Sequence, residues 1–596
     1  MSRIIISNNK STFSRSLLKI QESGLEKSYE NILDLYFIAN FKKRIHSFGN
    51  FYEKNENEFV VVSGTMIYKN KVGTEALAHL FSDFDGDVNR FKKECIGLFL
   101  LVICKSSKTY IFNDYYGIYD SNYYRDSNEF FISNSLADIV IATKKHEIDN
   151  FGLILESFHL GCFNEKTPFM NISKLKGDQY ILINNSEFKI EKIQNEEYRY
   201  NYNNITEDEA LIKLKELLIT SAKNILSCFG NIAINMTGGL DSRTVLTTFK
   251  EAGANPSILY GIGDGFITPT CVEDKKVVKL ISKRINAPLY FMNWNDCESE
   301  NGMSFEHQKS AFNKYGFLNL VYSANKNIFA EYEGKIKRYP EFMEFGYFLE
   351  NLRLREWAEK LDSNTFSLDE FVDEYYINKN LYASYSQYSD FKDYITNTFK
   401  DILSLYKKDI DFNKISIDYF ERLRWNTARY SDSRMHIFVN EFTHTFPLFG
   451  IPEIHELILS LPANIIKKGK FQVKLINLLN SEMLKFPLFS HMRSFKINRD
   501  FSKSKIITIK NIADDVIDVC KFMEKPMKKI YRKLFYKNFK FIENKIYKEI
   551  NEFNNIPIRI ENYAETSSLY NLYKYRQFLI GYNYILQCNL EKGENS

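Results

Sequence analysis

The chain lacks the features that most readily announce a function. Its eight cysteines (Cys95, Cys104, Cys162, Cys228, Cys271, Cys297, Cys520 and Cys588) are scattered through 596 residues. No two have CxxC spacing and none joins histidines in a zinc pattern, which excludes a disulfide framework and a structural zinc site. No stretch approaches the ~20 apolar residues of a membrane span. The apolar run inside Arg3 to Ser7 is too short for a signal peptide. Reduced thiols and no span lead to the expectation of a cytoplasmic protein. A dominant charge is missing as well: 79 Lys and Arg against 75 Asp and Glu leave +4, which makes no case for a nucleic-acid partner. Glycine (25) and proline (11) are scarce, and there is no internal repeat. The excess of Lys, Asn, Ile and Tyr is a compositional background and carries no functional sign.

What is present is globular. A hydrophobic content of 44% with 26% charged residues can bury sizeable cores, and the length predicts two or three domains. The polar segment 187–204 reads as a linker. Thr206 to Glu209 (TEDE) has the form of a capping box, in which threonine and glutamate satisfy each other's backbone N–H. After it, Leu211, Leu214, Leu217, Leu218, Ala222, Ile225 and Leu226 recur at helical spacing, predicting a helix laid on the sheet that Ile232 to Met236 opens.

The most informative stretch follows. An apolar strand leads into Thr237-Gly238-Gly239-Leu240-Asp241-Ser242 and then directly into a helix. Two glycines let the backbone approach an anion closely, Thr237 and Ser242 add hydroxyls, and the helix presents its positive end. Asp241 suits the magnesium that accompanies phosphates rather than the phosphates themselves. The loop has neither the GK[ST] of a Walker A motif nor a GxGxxG fingerprint. Beyond it, segments 256–261, 271–286 and 288–293 read as strand, helix and strand, a β-α-β-α-β run expected of a doubly wound parallel sheet.

TGGLDSR resembles the pyrophosphate loop of the ATP-pyrophosphatase group, and in particular the synthetase domain of asparagine synthetases. The resemblance continues at Asp274 in VEDKKVVKLI, at residues 440–462 with Lys474 beyond them, and at MRSFKINRDF (492–501). It implies ATP-dependent, AMP-forming amide ligation, in which a carboxylate is adenylated and an amine then displaces AMP, with ATP and Mg2+ as cofactors. Thr237, Gly238, Gly239 and Ser242 would hold pyrophosphate. Asp241 would hold magnesium, and Lys496 would meet the adenylate; taken alone, Lys496 also reads as a solvated surface lysine. Met236, Tyr260 and Gly261, at the ends of the first two strands, would line base and ribose. A second glycine-rich loop usual in the family is eroded here to YPEFMEFGYF (339–348). Its Glu344 is a candidate catalytic and second magnesium-binding acid, or else a partly buried acid on an aromatic loop.

The first third resembles a glutamine amidotransferase domain that has lost its cysteine nucleophile, since the chain begins Met1-Ser2-Arg3. Leu98 to Ile103 reads as a buried strand, NDYYGIYDSNYY (113–124) as a hairpin and Phe130 to Ser135 as another strand. The expected architecture is α/β: a degenerate Ntn-type αββα domain (1–190), a linker (191–205) and a doubly wound PP-loop synthetase domain with added helices (206–596). No glutamine hydrolysis is expected, so the amine would come from ammonia, a partner or another substrate. The expected partners are a small-molecule or peptide carboxylate, an amine donor, and a pathway protein or second copy of the chain. The rival reading is a nucleotide-binding pseudoenzyme serving as scaffold in a biosynthetic complex. Residues 300–440 read as helices forming an acceptor pocket, with Asp432, Arg434, His436, His444 and His455 near it, the histidines better read as satisfied or surface groups. The basic, aromatic run 525–540 reads either as a dock for an anionic partner or as a solvated helix packed on the body.

Overall fold

The computed structural model describes residues 2–33, 35–158, 162–184, 187–193, 205–262, 272–293, 309, 312–313, 316, 340–361, 363–377, 388–490, 493–495 and 578–586. The first part is built from β1 (Ile4–Ser7), β2 (Lys27–Ile32), β3 (Phe37–Phe41), β4 (Phe51–Asn55), β5 (Glu58–Ile67) and β6 (Ile96–Lys105). It continues with β7 (Lys108–Asn113), β8 (Asn122–Arg125), β9 (Phe130–Ser133), β10 (Ile172–Lys174), β11 (Gln179–Asn184) and β12 (Glu187–Lys192). Among these strands lie α1 (Lys10–Glu22), α2 (Gly73–Asp83), α3 (Val88–Glu94), α4 (Leu136–Thr143) and α5 (Asn150–Phe158). The strands form two six-stranded sheets, β10-β8-β9-β1-β3-β2 and β12-β11-β7-β6-β5-β4.

The layering follows from the two-residue period of a strand. On β6, Leu98, Leu100 and Val102 face Ile4, Ile6 and Ile38 of the other sheet, in one buried cluster. The alternate residues Phe99, Leu101 and Ile103 pack with Leu77, Leu80 and Phe91 of α2 and α3. On the far side, Ile5, Ala39 and Phe131 pack with Phe13 and Ile139 of α1 and α4. The result is an αββα sandwich, and it explains why residues 98–103 are apolar without alternation: both faces of the strand are covered. Each fully buried side chain of this kind contributes roughly 1.5–3 kcal/mol of transfer free energy. The hairpin expected over 113–124 does not form: β7 and β8 lie in different sheets, and the segment between them is a crossing turn held by Asp114, whose carboxylate accepts the N–H groups of Ile118 and Tyr119 at 3.1 and 2.7 Å.

The second part opens with α6 (Glu207–Cys228). Its capping box is formed as expected, with Thr206 N donating to Glu209 Oε2 at 2.9 Å and Glu209 N to Thr206 Oγ1 at 3.3 Å. Leu211, Leu214, Leu218, Ala222 and Ile225 are buried, while Leu217 and Leu226 are half-buried at the edge of the stripe. Then come β13 (Ile232–Asn235), α7 (Leu240–Glu251), β14 (Ser257–Ile262), α8 (Val272–Ile285), β15 (Leu289–Asn293) and β16 (Phe342–Glu344). They form a parallel sheet in the order β15-β14-β13-β16, with Ile234 opposite Ile258 on one side and Glu344 on the other. The chain therefore moves outward from β13 to β15 and returns on the opposite side of β13. The reversal puts a topological switch point at the carboxyl end of β13, where open α/β sheets bind their ligands.

Most of the expected linker, 194–204, lies outside the described residues. The sandwich and the parallel sheet share one continuous core and a polar seam. Buried Glu441 accepts from Arg3 and Arg44 at 3.3 and 3.2 Å, and Lys43 Nζ donates to Asn440 Oδ1 and the Thr443 carbonyl. Arg434 pairs with Glu156 across the same seam. Within the stretch expected to be helical, Tyr388–Tyr406, Phe420–Asp432 and Arg434–Val439 are α-helices. His436, His444 and His455 are core residues rather than surface or pocket groups, and burial lowers the pKa of each, to about 3 for His436 and His455.

Candidate active site

The segment after β13 folds back on the first turn of α7. Thr237 N donates to Ser242 Oγ at 3.0 Å, Ser242 Oγ to the Thr237 carbonyl at 3.1 Å, and Gly239 N to Thr237 Oγ1 at 3.3 Å. Gly238 N–H donates to a carboxylate oxygen of Asp274 on α8. A carboxylate oxygen thus accepts from a backbone donor of the loop. The loop rests on a helix of unusual character. Ser242 through Phe249 are all buried, so α7 has no exposed face over this stretch, although Arg243, Thr244, Thr247 and Thr248 are polar. Its threonines are satisfied within the helix, Thr244, Thr247 and Thr248 donating to the carbonyls of Leu240, Arg243 and Thr244.

Arg243 lies inside this buried helix at 0% exposure. Its guanidinium donates to the carbonyls of Gly238, Met483, Phe486 and Pro487 at 2.8–3.1 Å. Burial lowers its pKa to about 10, with the Asp274 charge opposing, so it stays protonated. One side chain therefore ties the loop to the segment that enters the Leu488–Ser490 and Arg493–Phe495 hairpin. Lys496, the residue after that hairpin, lies outside the described residues.

Asp241 projects from the first turn of α7 and both of its oxygens are engaged. Arg353 donates to Oδ2 at 2.7 Å and Gln472 Nε2 to Oδ1 at 2.8 Å. A single carboxylate beside a phosphate loop fits magnesium, which takes one or two carboxylates with phosphate oxygens completing its shell. Glu344 does not fit as the second. It is fully buried at the end of β16, its Oε1 accepts the Leu448 N–H at 3.2 Å, and its Oε2 has no hydrogen-bond partner. Burial raises its pKa well above the usual carboxylate range, which favours the neutral acid over a charged ligand. Among the described residues no group of three or more His, Cys, Asp or Glu is arranged to hold a metal.

Three other expectations are corrected by burial or pairing. The Met236 and Tyr260 side chains are 0% and 3% exposed and pack in the sheet core, so they do not line a base or ribose; Gly261 is half-buried at the end of β14. Lys474 points to Glu207 of α6 and not to the loop. From the same helix, Lys470–Asn480, it is Gln472 that reaches Asp241. The sequence reading missed Arg243, Arg353 and Gln472. None of the three was singled out by the sequence: Arg243 falls with Thr244, Thr247 and Thr248 on a polar stripe that the structure buries.

No family model matches the chain, and no curated protein does. Solved structures resemble parts of it. A glutamine phosphoribosylpyrophosphate amidotransferase from B. subtilis, complexed with ADP and GMP, is 11% identical over 49% of this chain and 90% of its own, with a TM-score of 0.24. A U34-tRNA thiolase from Methanococcus maripaludis is 12% identical over 58% and 84%, with a TM-score of 0.20. An NMN synthetase from Francisella tularensis is 12% identical over 39% and 97%, with a TM-score of 0.19. Likeness at this level carries no argument about activity. Among the described residues no helix is long and apolar enough to cross a membrane.

Proposed function

We propose that the chain is an ATP-dependent, AMP-forming ligase that joins a carboxylate to an amine in the manner of the asparagine synthetases. The observation that carries this reading is the loop Thr237–Ser242 at the switch point of a parallel sheet, with the Gly238 N–H on a carboxylate oxygen and Asp241 beside it. Thr237, Gly238, Gly239 and Ser242 hold the pyrophosphate portion of ATP by exchanging their internal bonds for phosphate oxygens. Magnesium on Asp241 would supply neutralising charge to those phosphates. Lys496 carries the remaining positive charge toward the α-phosphorus as the substrate carboxylate attacks it, an electrostatic contribution of several kcal/mol. The carboxylate displaces pyrophosphate, and the incoming amine then displaces AMP. The sandwich serves as a structural domain, with the boundary falling between residues 190 and 206.

One observation favours the scaffold reading instead: both oxygens of Asp241 are engaged by side chains of the protein, Arg353 and Gln472. ATP–pyrophosphate exchange and AMP release, measured with magnesium over a panel of carboxylates including aspartate and with ammonia or glutamine as amine donor, test both. Exchange that is abolished in Asp241→Ala supports the ligase. Magnesium-dependent ATP binding by the wild-type chain, with no exchange across the panel, supports the nucleotide-binding scaffold.

A further inference from the structure

The ion pair that occupies Asp241 has a consequence for the nucleotide. Gly346, just past β16, lies against α7 so closely that a Cβ there would come within 2.7 Å of Ser242 N and 2.9 Å of the Asp241 carbonyl carbon. Only glycine permits this approach. Two residues later Phe348 adopts a left-handed conformation (φ 72°), uncommon for a bulky side chain and costing about 1–2 kcal/mol. Its ring is held edge-on by Trp425 at 4.7 Å. The reversal starts the 3-10 turn Leu349–Leu352, and the turn delivers Arg353 to Asp241. The eroded loop thus lacks the leading glycines but keeps Gly346, and it provides a route for one cation to Asp241.

The pair is poor as a structural fixture. Arg353 is 32% exposed and Asp241 22% exposed, so solvent competes for both. Behind them Gln472 is fully buried, donates to Asp241 and Thr244, and leaves its Oε1 without a hydrogen-bond partner. A half-exposed guanidinium parked on the one carboxylate suited to magnesium, backed by unused hydrogen-bonding capacity, is arranged for exchange.

We propose that Arg353 is a phosphate-binding residue of this site. It holds Asp241 while the site is free of nucleotide. When magnesium and the polyphosphate arrive, Asp241 passes to the metal and Arg353 to a phosphate oxygen, where its planar fork suits the geometry of the anion. It replaces with a side chain the donors that a second glycine-rich loop would have supplied. This rests on the nucleotide reading above.

The test is calorimetric titration of the full chain with MgATP, for the wild type, Arg353→Gln and Arg353→Lys, with thermal melts to verify folding. Loss of a charge-assisted phosphate contact predicts about tenfold or greater weakening in Arg353→Gln. Partial recovery is expected in Arg353→Lys, which keeps the charge without the fork. If Arg353 only neutralises Asp241, its removal frees the carboxylate and MgATP binds as tightly or more tightly; that result overturns the proposal and leaves the nucleotide reading standing. A wild-type chain that binds no MgATP overturns both. Should Arg353→Gln fail to fold, Arg353→Lys decides alone: any weakening supports the proposal, and unchanged or tighter binding refutes it.

Discussion

Ser2, just before β1 of the sandwich, and Asp241, in the first turn of α7 beside the parallel sheet, are both held by hydrogen bonds, yet their surroundings differ. Ser2 is 2% exposed. Its Oγ accepts the Gly64 N–H at 2.9 Å and shares a 2.9 Å bond with Ser63 Oγ, and its carbonyl accepts from Ser63 and Asn134. Gly64, at φ 103° and too close to the Leu98 carbonyl for any Cβ, completes an enclosure that only rearrangement of the strands would open. Asp241 is bonded as fully but at the surface, to partners on separate elements. Each side chain makes two hydrogen bonds, yet one group is part of the framework while the other has partners that can move. Partner mobility, more than bond count, separates a fixture from a site.

The largest effect that sharpens this contrast is expected at Arg243, whose removal leaves four carbonyls, those of Gly238 and Met483 buried, without their donor. Arg243→Ala should lower the free energy of unfolding by about 4 kcal/mol, read from urea unfolding. Asp241→Ala should do the reverse kind of damage. ATP–pyrophosphate exchange should fall by about a hundredfold or more while stability changes by less than about 1 kcal/mol. Ser2→Ala should cost about 1–2 kcal/mol and leave exchange unaltered; a loss of exchange there would erase the distinction between the two regions.

Buried titratable groups give an opposed pair of pH effects. His436 has its pKa lowered to about 3 by burial, against 6.5 for an exposed imidazole. The unfolded chain therefore takes up the proton first, and the stability present above pH 6.5 is lost as the pH falls toward 3. Glu344 behaves oppositely. Its raised pKa gives stability that is complete below the ordinary value of 4.5 and is lost as the pH rises through the folded value. Glu344→Gln should flatten the alkaline side of the unfolding profile without altering magnesium-dependent ATP binding, whereas a metal-ligand role would weaken that binding. The smallest effect is expected at Thr206→Ala, about 1 kcal/mol from the lost cap of α6.

Local signals in the sequence were reliable where the structure is local. The capping box, the strand–loop–helix at 232–251 and the following strand–helix–strand appear within a residue or two of their expected bounds. What the sequence concealed is what the third dimension joins. Arg353 meets Asp241 from 112 positions away and Gln472 from 231, and no spacing rule links them. The three-residue β16 is too short for its period to register, so the sequence left Glu344 open between a ligand and a partly buried acid, and the structure buries it. Lys474 shows the cost of reading a helix by residue type alone, since two positions separate the face on α6 from the face on the loop.

The absence of an exposed face on α7 from Ser242 to Phe249 also bears on how the molecule opens. A helix buried on every side from Ser242 to Phe249 has no outer turn to fray into water. Its amides are expected to exchange with deuterium only through unfolding of the whole parallel-sheet region, whereas the exposed ends of α6 exchange through local openings. The most slowly exchanging segment of this part of the chain would then directly adjoin the loop assigned to the nucleotide. Such a base keeps the loop's backbone donors fixed while the side chains around them change partners.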